Sequence, residues 1–210
     1  MPKETFFNLP YDKRNLIILA AIEEFSKSNY KTSSINQICK KANIAKGSFY
    51  QYFTNKLDLY VYIMTLGIKE KIKFFSSIVS EFNDLTLLEQ IRLLFIKGIE
   101  FPKKYPQYAA LGEQFSKEDD ISVKSVVIKE GEKLSESLFM QMIENAKIKG
   151  ELDNSVDSLA LSLLLQSLYS AANKYMQDKF GNTSYEDNVI EVNKFIDSLL
   201  NIIFYGIKND

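Results

Sequence analysis

The sequence predicts an all-α protein with a small N-terminal domain of three helices and a larger helical domain after it. Apolar residues recur at steps of three and four along most of the chain. The alternation of a half-buried strand is absent, and no hairpin turn lies between β-branched runs. Two short helical patterns also meet across a tight turn between Ser34 and Phe53. No linker separates the two domains, so we place the boundary within the helix that they share, with residues 1–56 before it and 57–210 after it.

The first two helices of the small domain are expected from Asp12 to Ser28 and after Ser34. Ser34 and Gln37 fit a capping box, in which the hydroxyl accepts from a backbone N–H and Gln37 reaches back. Asn43 ends the second helix, since Asn tolerates the left-handed conformation. The expected buried face of the first helix comprises Leu16, Ile17, Leu19, Ala20, Ala21 and Phe25.

The third helix is expected from Lys46 to Tyr52, and its inward face is aromatic. Phe49 and Phe53 lie four residues apart and so share one side of the helix. The other faces carry Lys46, Gly47, Ser48, Tyr50, Gln51 and Tyr52.

These outward residues suit contact with a nucleic acid duplex. Gly47 lets a backbone approach a surface closely. Hydroxyl groups such as those of Ser48, Tyr50 and Tyr52 can donate to phosphate oxygens. Gln51 can read a base edge, by preference adenine, and Lys46 can reach guanine or a phosphate. Two helices joined by a short turn, with the second one entering the major groove, form a helix-turn-helix motif.

The run ILAAIEEFSKSNYKTSSINQICKKANIAKGSFYQYFTNKLDLY resembles the N-terminal domain of TetR-family transcriptional regulators. The resemblance covers roughly 45 residues. Asn43 stands where the family usually has Gly, and Ala45 stands where Ser or Thr often caps the recognition helix. The matching frame is Ala21, Phe25, Tyr30, Ser33, Ser34, Ile38, Ala42, Ile44, Gly47, Phe49, Tyr50, Tyr52, Phe53, Lys56 and Leu59.

The resemblance implies an N-terminal DNA-binding domain and a larger ligand-binding and dimerisation domain. It also implies roles for single residues. Ser34, Tyr50, Tyr52 and Lys56 would hold phosphates. Lys46, Ser48 and Gln51 would face bases.

Composition and charge agree with a DNA-binding protein of the cytoplasm. Residues 1–60 hold nine basic against five acidic side chains, whereas the remainder holds 17 against 22. A basic head on an acidic body is typical of a DNA-binding domain, although such a charge is also common in other domains. Cys39, the one cysteine, excludes an internal disulfide, and we expect it to pack as a small apolar residue. No apolar run approaches the roughly 20 residues of a membrane span, and a signal peptide is not indicated.

The remaining chain is expected to be helical as well. Helices are predicted over Asn55–Phe82, Leu85–Phe101, Pro106–Phe115, Ile121–Lys149, Ser155–Phe180 and Tyr185–Ile207. The first of these is long enough to link the two domains, Pro102 is expected to stop the second, and Ser155 is expected to cap the fifth.

The last two helices carry apolar residues on more than one face, which favours burial on more than one face. One face can meet the core of the chain and the other a second copy, giving a two-fold four-helix interface. We favour this homodimer over a buried helix inside a monomer, because a two-fold protein matches a palindromic operator. The residues assigned to the interface are Leu161, Leu165, Leu168, Val192, Ile196, Leu199 and Ile203.

The middle helices carry aromatic and sulfur-bearing side chains that could line a chamber for an apolar or aromatic small molecule. The alternative is that these side chains simply fill the core, and for any one of them that interpretation is at least as good. The candidates are Phe95, Phe101, Tyr105, Tyr108, Phe115, Phe139, Met142, Gln166, Tyr169, Asn173 and Met176.

An enzyme is not indicated, and we expect no cofactor. The chain has no histidine and no phosphate-binding or nucleophile-elbow motif. Acidic residues cluster at Glu118, Asp119 and Asp120, but such runs are usually solvated surface, and a carboxylate-only Mg²⁺ site stays a weak alternative.

The resulting hypothesis is a homodimeric repressor that a small molecule releases from its operator. Two rivals remain. One is a helical small-molecule binding protein without operator binding, and the other is a non-specific DNA-binding protein.

Overall fold

A computed structural model describes residues 1–81, 84–180 and 188–206 of the chain. Within these ranges the secondary structure is helical and contains no strand, which confirms the all-α prediction. The helices are α1 (Glu4–Phe7), α2 (Tyr11–Lys27), α3 (Ile35–Lys41), α4 (Lys46–Tyr52), α5 (Lys56–Glu81), α6 (Leu87–Lys104), α7 (Pro106–Ser116), α8 (Ile121–Ile148), α9 (Ser158–Phe180) and α10 (Val189–Tyr205).

The main differences from the predicted helices concern α1, α6 and α9, and several other helix ends differ by one or two residues. Helix α1 was not predicted. Helix α6 continues past Pro102 for two residues, because a proline in the last turn removes only one hydrogen bond there. Helix α9 begins at Ser158 and not at Ser155, since the carboxylate of Asp157 accepts from the amides of Leu159 and Ala160 at 2.9 and 3.0 Å. The predicted start of the last helix at Tyr185 and its end at Ile207 lie outside the described residues.

The described residues pack as two compact units. Unit 1 comprises Met1–Lys71 and Tyr105–Glu132, and unit 2 comprises Ile72–Lys104 together with the described residues from Lys133 onward. These units reflect packing, whereas the predicted boundary after residue 56 refers to function, so that boundary stays a prediction.

Unit 1 has an aromatic core built from α1, α2, α3, α4 and the first part of α5. Helix α2 packs against both α3 and α7. The expected burial of Leu16 and Leu19 is wrong: their side chains are 50% and 52% exposed. Leu16 and Leu19 are next to the buried Ile17 and Ala20 in the sequence. Successive residues lie about 100° apart around a helix, so these two side chains fall beside the buried stripe and not on it. The large side chains buried completely in this unit are Phe6, Ile17, Phe25, Ile38, Phe49, Phe53, Leu59, Tyr60 and Ile63.

Unit 2 has its own aliphatic core between α6, α8, α9 and α10. Ile91 and Leu94 of α6 meet Ile143, Leu165 and Ile196 of the other three helices, and all five are buried. Each unit therefore has an independent hydrophobic core.

The structure predicts a large difference between two adjacent phenylalanines. Phe6 is completely buried, whereas Phe7 is 46% exposed. Replacing Phe6 by Ala should lower the free energy of unfolding by about 3–5 kcal/mol, because it leaves a cavity in the core of unit 1. Phe7→Ala should cost less than half as much in urea denaturation. Equal losses in the two variants would contradict the packing described for α1.

Candidate nucleic-acid interface

The turn between α3 and α4 has the geometry expected from the sequence. Asn43 has a φ of +52°, the left-handed conformation that ends α3. Ile44 follows it and packs against the core of unit 1. Cys39, in the last part of α3, is buried as predicted, and burial raises the pKa of its thiol. This turn fixes the direction in which α4 leaves the core.

Helix α4 has the predicted bounds and the predicted inward face. Phe49 and Phe53 are completely buried, with ring centroids 5.3 Å apart. Ala45 provides no side-chain cap at the start of the helix. The outward positions comprise Lys46, Gly47, Tyr50 and Gln51, which are exposed, and Ser48, which is half-buried.

The structure corrects the placement of Tyr52. Its side chain is only 7% exposed, and its ring lies 6.3 Å from that of Phe6. Tyr52 therefore packs on the core side of α4 and does not lie on its outward face. Its expected placement on an outward face is therefore wrong, while a contact of its hydroxyl with a phosphate stays a prediction.

A cleft of about 420 Å³ opens between the start of α3 and the start of α4. We call it the α3–α4 cleft. Its lining residues other than Ile35 carry hydroxyl, amide or ammonium groups, and three of the residues assigned to phosphate contact, Ser34, Tyr50 and Lys56, meet there with Lys46. The complete lining is Thr32, Ser33, Ser34, Ile35, Asn36, Lys46, Tyr50 and Lys56. Hydroxyl groups and ammonium groups converging on one concave surface suit an anion.

Ser34 caps α3, but only half of the predicted capping box forms. The Ser34 hydroxyl accepts from the backbone N–H of Gln37 at 3.4 Å. The N–H of Ser34 donates at 2.8 Å to the carboxylate of Glu24, a residue of α2, and not to Gln37. Glu24 is nearly buried, so this charge-assisted bond fixes the start of α3 against α2.

Lys56 is engaged with the loop that precedes α3. Its ammonium donates to the carbonyls of Ser33 at 2.9 Å and Lys31 at 3.3 Å, and it lies 4.7 Å from the ring centroid of Tyr30. Burial lowers the pKa of Lys56, while the charges of Glu118 and Glu24 act in the opposite direction. Lys56 therefore stabilises the loop that precedes α3. Its contact with a phosphate stays a prediction.

Glu118 supports the loop before α3, a role that the sequence interpretation missed. It was expected on a solvated surface, but its side chain is only 3% exposed. Its carboxylate accepts from the N–H of Tyr30 at 2.8 Å and from that of Asp120 at 3.1 Å. Glu118 thus holds the loop before α3 from a position 88 residues away in the sequence. Nothing local in an acidic run indicates such a distant partner.

The comparisons with known proteins agree with this geometry. Residues 17–63 match the family model described as bacterial regulatory proteins of the tetR family. A TetR-family transcriptional regulator from Chloroflexus aurantiacus is similar over the full length of both chains, with 26% identity and a TM-score of 0.57. Residues 17–63 therefore belong to the tetR family of bacterial regulatory proteins.

The curated relatives match only a short stretch of this chain. YhgD, an uncharacterized HTH-type transcriptional regulator of Bacillus subtilis, is 37% identical over 59 residues, 28% of this chain and 31% of that protein. HbdR, an HTH-type transcriptional regulator of an Aromatoleum strain, is 42% identical over 48 residues, 23% of this chain and 21% of that protein. The similarity thus spans less than a third of these relatives' length.

One further solved structure shares the fold across both units. FadR of Bacillus subtilis, solved with stearoyl-CoA, has a TM-score of 0.70 to this chain. The alignment covers 95% of this chain and all of that one, at 18% identity. At this identity the similarity establishes the fold alone.

The predicted ligand-binding residues are divided between the two units. Tyr105, Tyr108 and Phe115 belong to unit 1 and are half-buried. The side chains of Asn173 and Met176 lie outside the described part of the structure. The other candidates belong to unit 2. Phe95, Phe101, Phe139 and Met142 are buried there, and Gln166 and Tyr169 are half-buried.

The aromatic cluster of unit 2 centres on Tyr169. Its ring meets those of Phe75 and Phe95 edge-on, at centroid distances of 5.8 and 5.4 Å. Gly98 of α6 faces the Tyr169 hydroxyl so closely that an added Cβ would lie 2.6 Å from that oxygen. Gln166 donates to the hydroxyl of Ser162 at 3.0 Å, within α9. The role of these residues in binding a ligand stays a prediction.

The residues assigned to a dimer interface face the core of unit 2. Leu165, Val192 and Ile196 are buried within one chain, so their assignment to the interface is wrong. Leu161, Leu168, Leu199 and Ile203 are half-buried and pack against the same core. The exposed apolar residues of α9 and α10 are different ones, namely Leu159, Leu163, Leu164, Tyr175, Ile190, Ile202 and Tyr205.

The described ranges hold neither a candidate metal site nor a helix suited to a membrane. No group of three or more acidic or cysteine side chains that could hold a metal ion occurs in them. Among the helices described there, none has the length and apolar character needed to cross a membrane.

The geometry predicts that Glu118 stabilises unit 1 and that its exposed neighbour Asp119 does not. Glu118→Ala should lower the free energy of unfolding by about 1–3 kcal/mol, because two partly buried N–H donors lose their acceptor. The amide of Tyr30 should also exchange faster with solvent. Asp119→Ala is the matched control and should change neither urea denaturation nor exchange at Tyr30. If the two variants behave alike, Glu118 does not hold the loop.

Proposed function

We propose that this chain is a transcriptional repressor that binds a palindromic DNA operator as a homodimer and is released by a small apolar or aromatic molecule. The observation that carries the proposal is the α3–α4 cleft beside the exposed face of α4. In this arrangement a phosphate-binding cleft lies next to side chains that can reach base edges.

The cleft suits one phosphate of the DNA backbone. Ser34 and Tyr50 bring hydroxyl groups to it, and Lys46 brings a positive charge. Lys56 lines the same cleft, with its ammonium bonded to loop carbonyls. Contacts of this kind fix the register of a protein on a duplex without reading the sequence.

The exposed face of α4 is the part that would read bases. Gln51 and Lys46 are exposed, and Ser48 is half-buried. Gln can bind adenine through two hydrogen bonds, and Lys can bind guanine. Gly47 leaves this surface open, since an added Cβ would meet nothing within 4 Å.

We place the dimer contact on the outward face of α9 and α10, because the inward face is used by the core. Leu163 and Leu164 of α9 are 54% and 52% exposed, and Ile202 of α10 is 52% exposed. A second copy related by two-fold symmetry would cover the same residues on both chains. Its recognition helices would then reach half-sites one DNA turn, about 34 Å, apart.

Release by a ligand needs a second arrangement of the protein that the ligand binds more tightly. The ligand shifts the population toward that arrangement and so weakens DNA binding, with a coupling of about 1–3 kcal/mol. Stearoyl-CoA is the first probe to use, since it binds a protein of the same fold and has a long apolar chain.

Exchanging two residues of the cleft tests DNA binding. The double variant Lys46→Ala, Tyr50→Phe should weaken binding to a selected duplex by about 100-fold or more. The slope of log affinity against log salt should fall by about 0.9 for each phosphate that the variant no longer neutralises. Mass and thermal stability should not change. The matched control is Lys13→Ala, Tyr11→Phe, at two exposed positions of α2, and it should retain affinity.

A competition assay separates the rivals. If a random duplex competes as well as a selected one, the protein is a non-specific DNA binder. If no duplex binds while a ligand does, it is a small-molecule binding protein.

A charge on the outward face of α9 tests the dimer. Leu164→Glu should convert a dimer into a monomer in sedimentation equilibrium, because two like charges would be buried in a two-fold contact. Ile121→Glu is the control, since Ile121 is 80% exposed at the start of α8. A dimer that survives Leu164→Glu would place the interface elsewhere.

A further inference from the structure

The carbonyl groups at the end of α4 are bound by a segment that lies far from them in the sequence. A helix leaves its last four carbonyls without partners inside the helix. In α4 these belong to Phe49, Tyr50, Gln51 and Tyr52. The N–H of Phe53 takes the first at 2.9 Å, which leaves three carbonyls.

Lys3 and Thr5 take all three. The Lys3 ammonium donates to the carbonyl of Tyr50 at 2.9 Å, and the Lys3 N–H donates to that of Tyr52 at 2.8 Å. The Thr5 hydroxyl donates to the carbonyl of Gln51. Residues 3–5 therefore close the end of a helix that begins 43 positions after Lys3.

Phe6 holds this segment in place. Its ring is completely buried, with its centroid 4.9 Å from that of Phe53 and 5.5 Å from that of Tyr62. Burial of one such ring is among the largest single contributions to a small core. The cap is thus attached to the same aromatic cluster that holds α4.

Helix α4 needs such a cap because it is short. An isolated helix of seven residues does not persist in water. The positive charge of Lys3 also lies at the negative end of the helix dipole. Two of the capped carbonyls belong to Tyr50 and Gln51, whose side chains face outward for DNA contact.

We propose that Lys3 and Thr5 are positioning residues for operator recognition, which order the last turn of α4 so that Gln51 meets its base with a fixed orientation. This inference rests on the proposed function. It assigns residues 3–6 a role in sequence recognition without contact to a base.

The alternative role for Lys3 is direct contact with a DNA phosphate. The two roles differ in their dependence on salt. Removal of a phosphate contact reduces the salt slope by about 0.9 and weakens binding to every sequence alike. Removal of a positioning contact weakens binding to the preferred sequence more than to random DNA and leaves the slope unchanged.

Thr5→Val is the sharpest variant, since it removes the donor while it keeps the shape and the charge. In the full chain it should weaken binding to a duplex selected from a random pool by about 3- to 10-fold, the loss of one hydrogen bond. Binding to a random duplex should not change. Thr5→Ser keeps the hydroxyl and should restore the preference.

Lys3→Met should show the same loss of preference with an unchanged salt slope. Its matched control, Lys13→Met, removes the same charge from an exposed position of α2 and should keep the preference. Amide exchange at Lys3 reports the cap directly, because its N–H bonds to Tyr52. This amide should lose protection in Thr5→Val and keep it in Thr5→Ser.

The outcomes separate the two proposals. If Thr5→Val keeps both the sequence preference and the protection of the Lys3 amide, the positioning role is overturned. A reduced salt slope in Lys3→Met, with Thr5→Val unaffected, would assign Lys3 to phosphate contact and would also overturn it. If the unaltered chain selects no sequence at all, the proposed function fails, and protection of the Lys3 amide in Thr5→Val against Thr5→Ser then decides whether the cap exists.

Discussion

Burial of Phe49 and Phe53 is the constraint on which the interface depends. Helix α4 is too short to be stable alone, so its position comes from these two rings in the aromatic core of unit 1. Once they are inside, the helical repeat sends Lys46, Tyr50 and Gln51 outward. The same packing therefore creates the polar surface that would touch DNA.

The wall of the α3–α4 cleft is held by charged groups from distant parts of the chain. Glu24 binds the N–H of Ser34, Glu118 binds that of Tyr30, and Lys56 binds two carbonyls of the same loop. Buried carboxylates are stable only with such partners. Because Glu118 lies between α7 and α8, a change at that point would reach the loop before α3 through one hydrogen bond.

Local patterns predicted the parts of the site that local interactions determine. The bounds of α4, the left-handed Asn43 and the inward Phe49 follow from helical spacing and turn chemistry, and all three could be predicted. Tyr52 and Glu118 could not, because their burial depends on Phe6 and Tyr30, which are remote in sequence. Helix α1 was missed for a different reason, because a helix of four residues is too short to show a helical periodicity.

Hydrogen exchange of the full chain with and without a DNA duplex tests the central claim most directly, that the α3–α4 cleft and the outward face of α4 meet DNA. The account predicts that duplex DNA slows amide exchange in residues 32–36 and 46–51, which line the cleft and form α4. The slowing should fade as salt is raised. Unchanged exchange in both stretches, with new protection elsewhere on the chain, would contradict it.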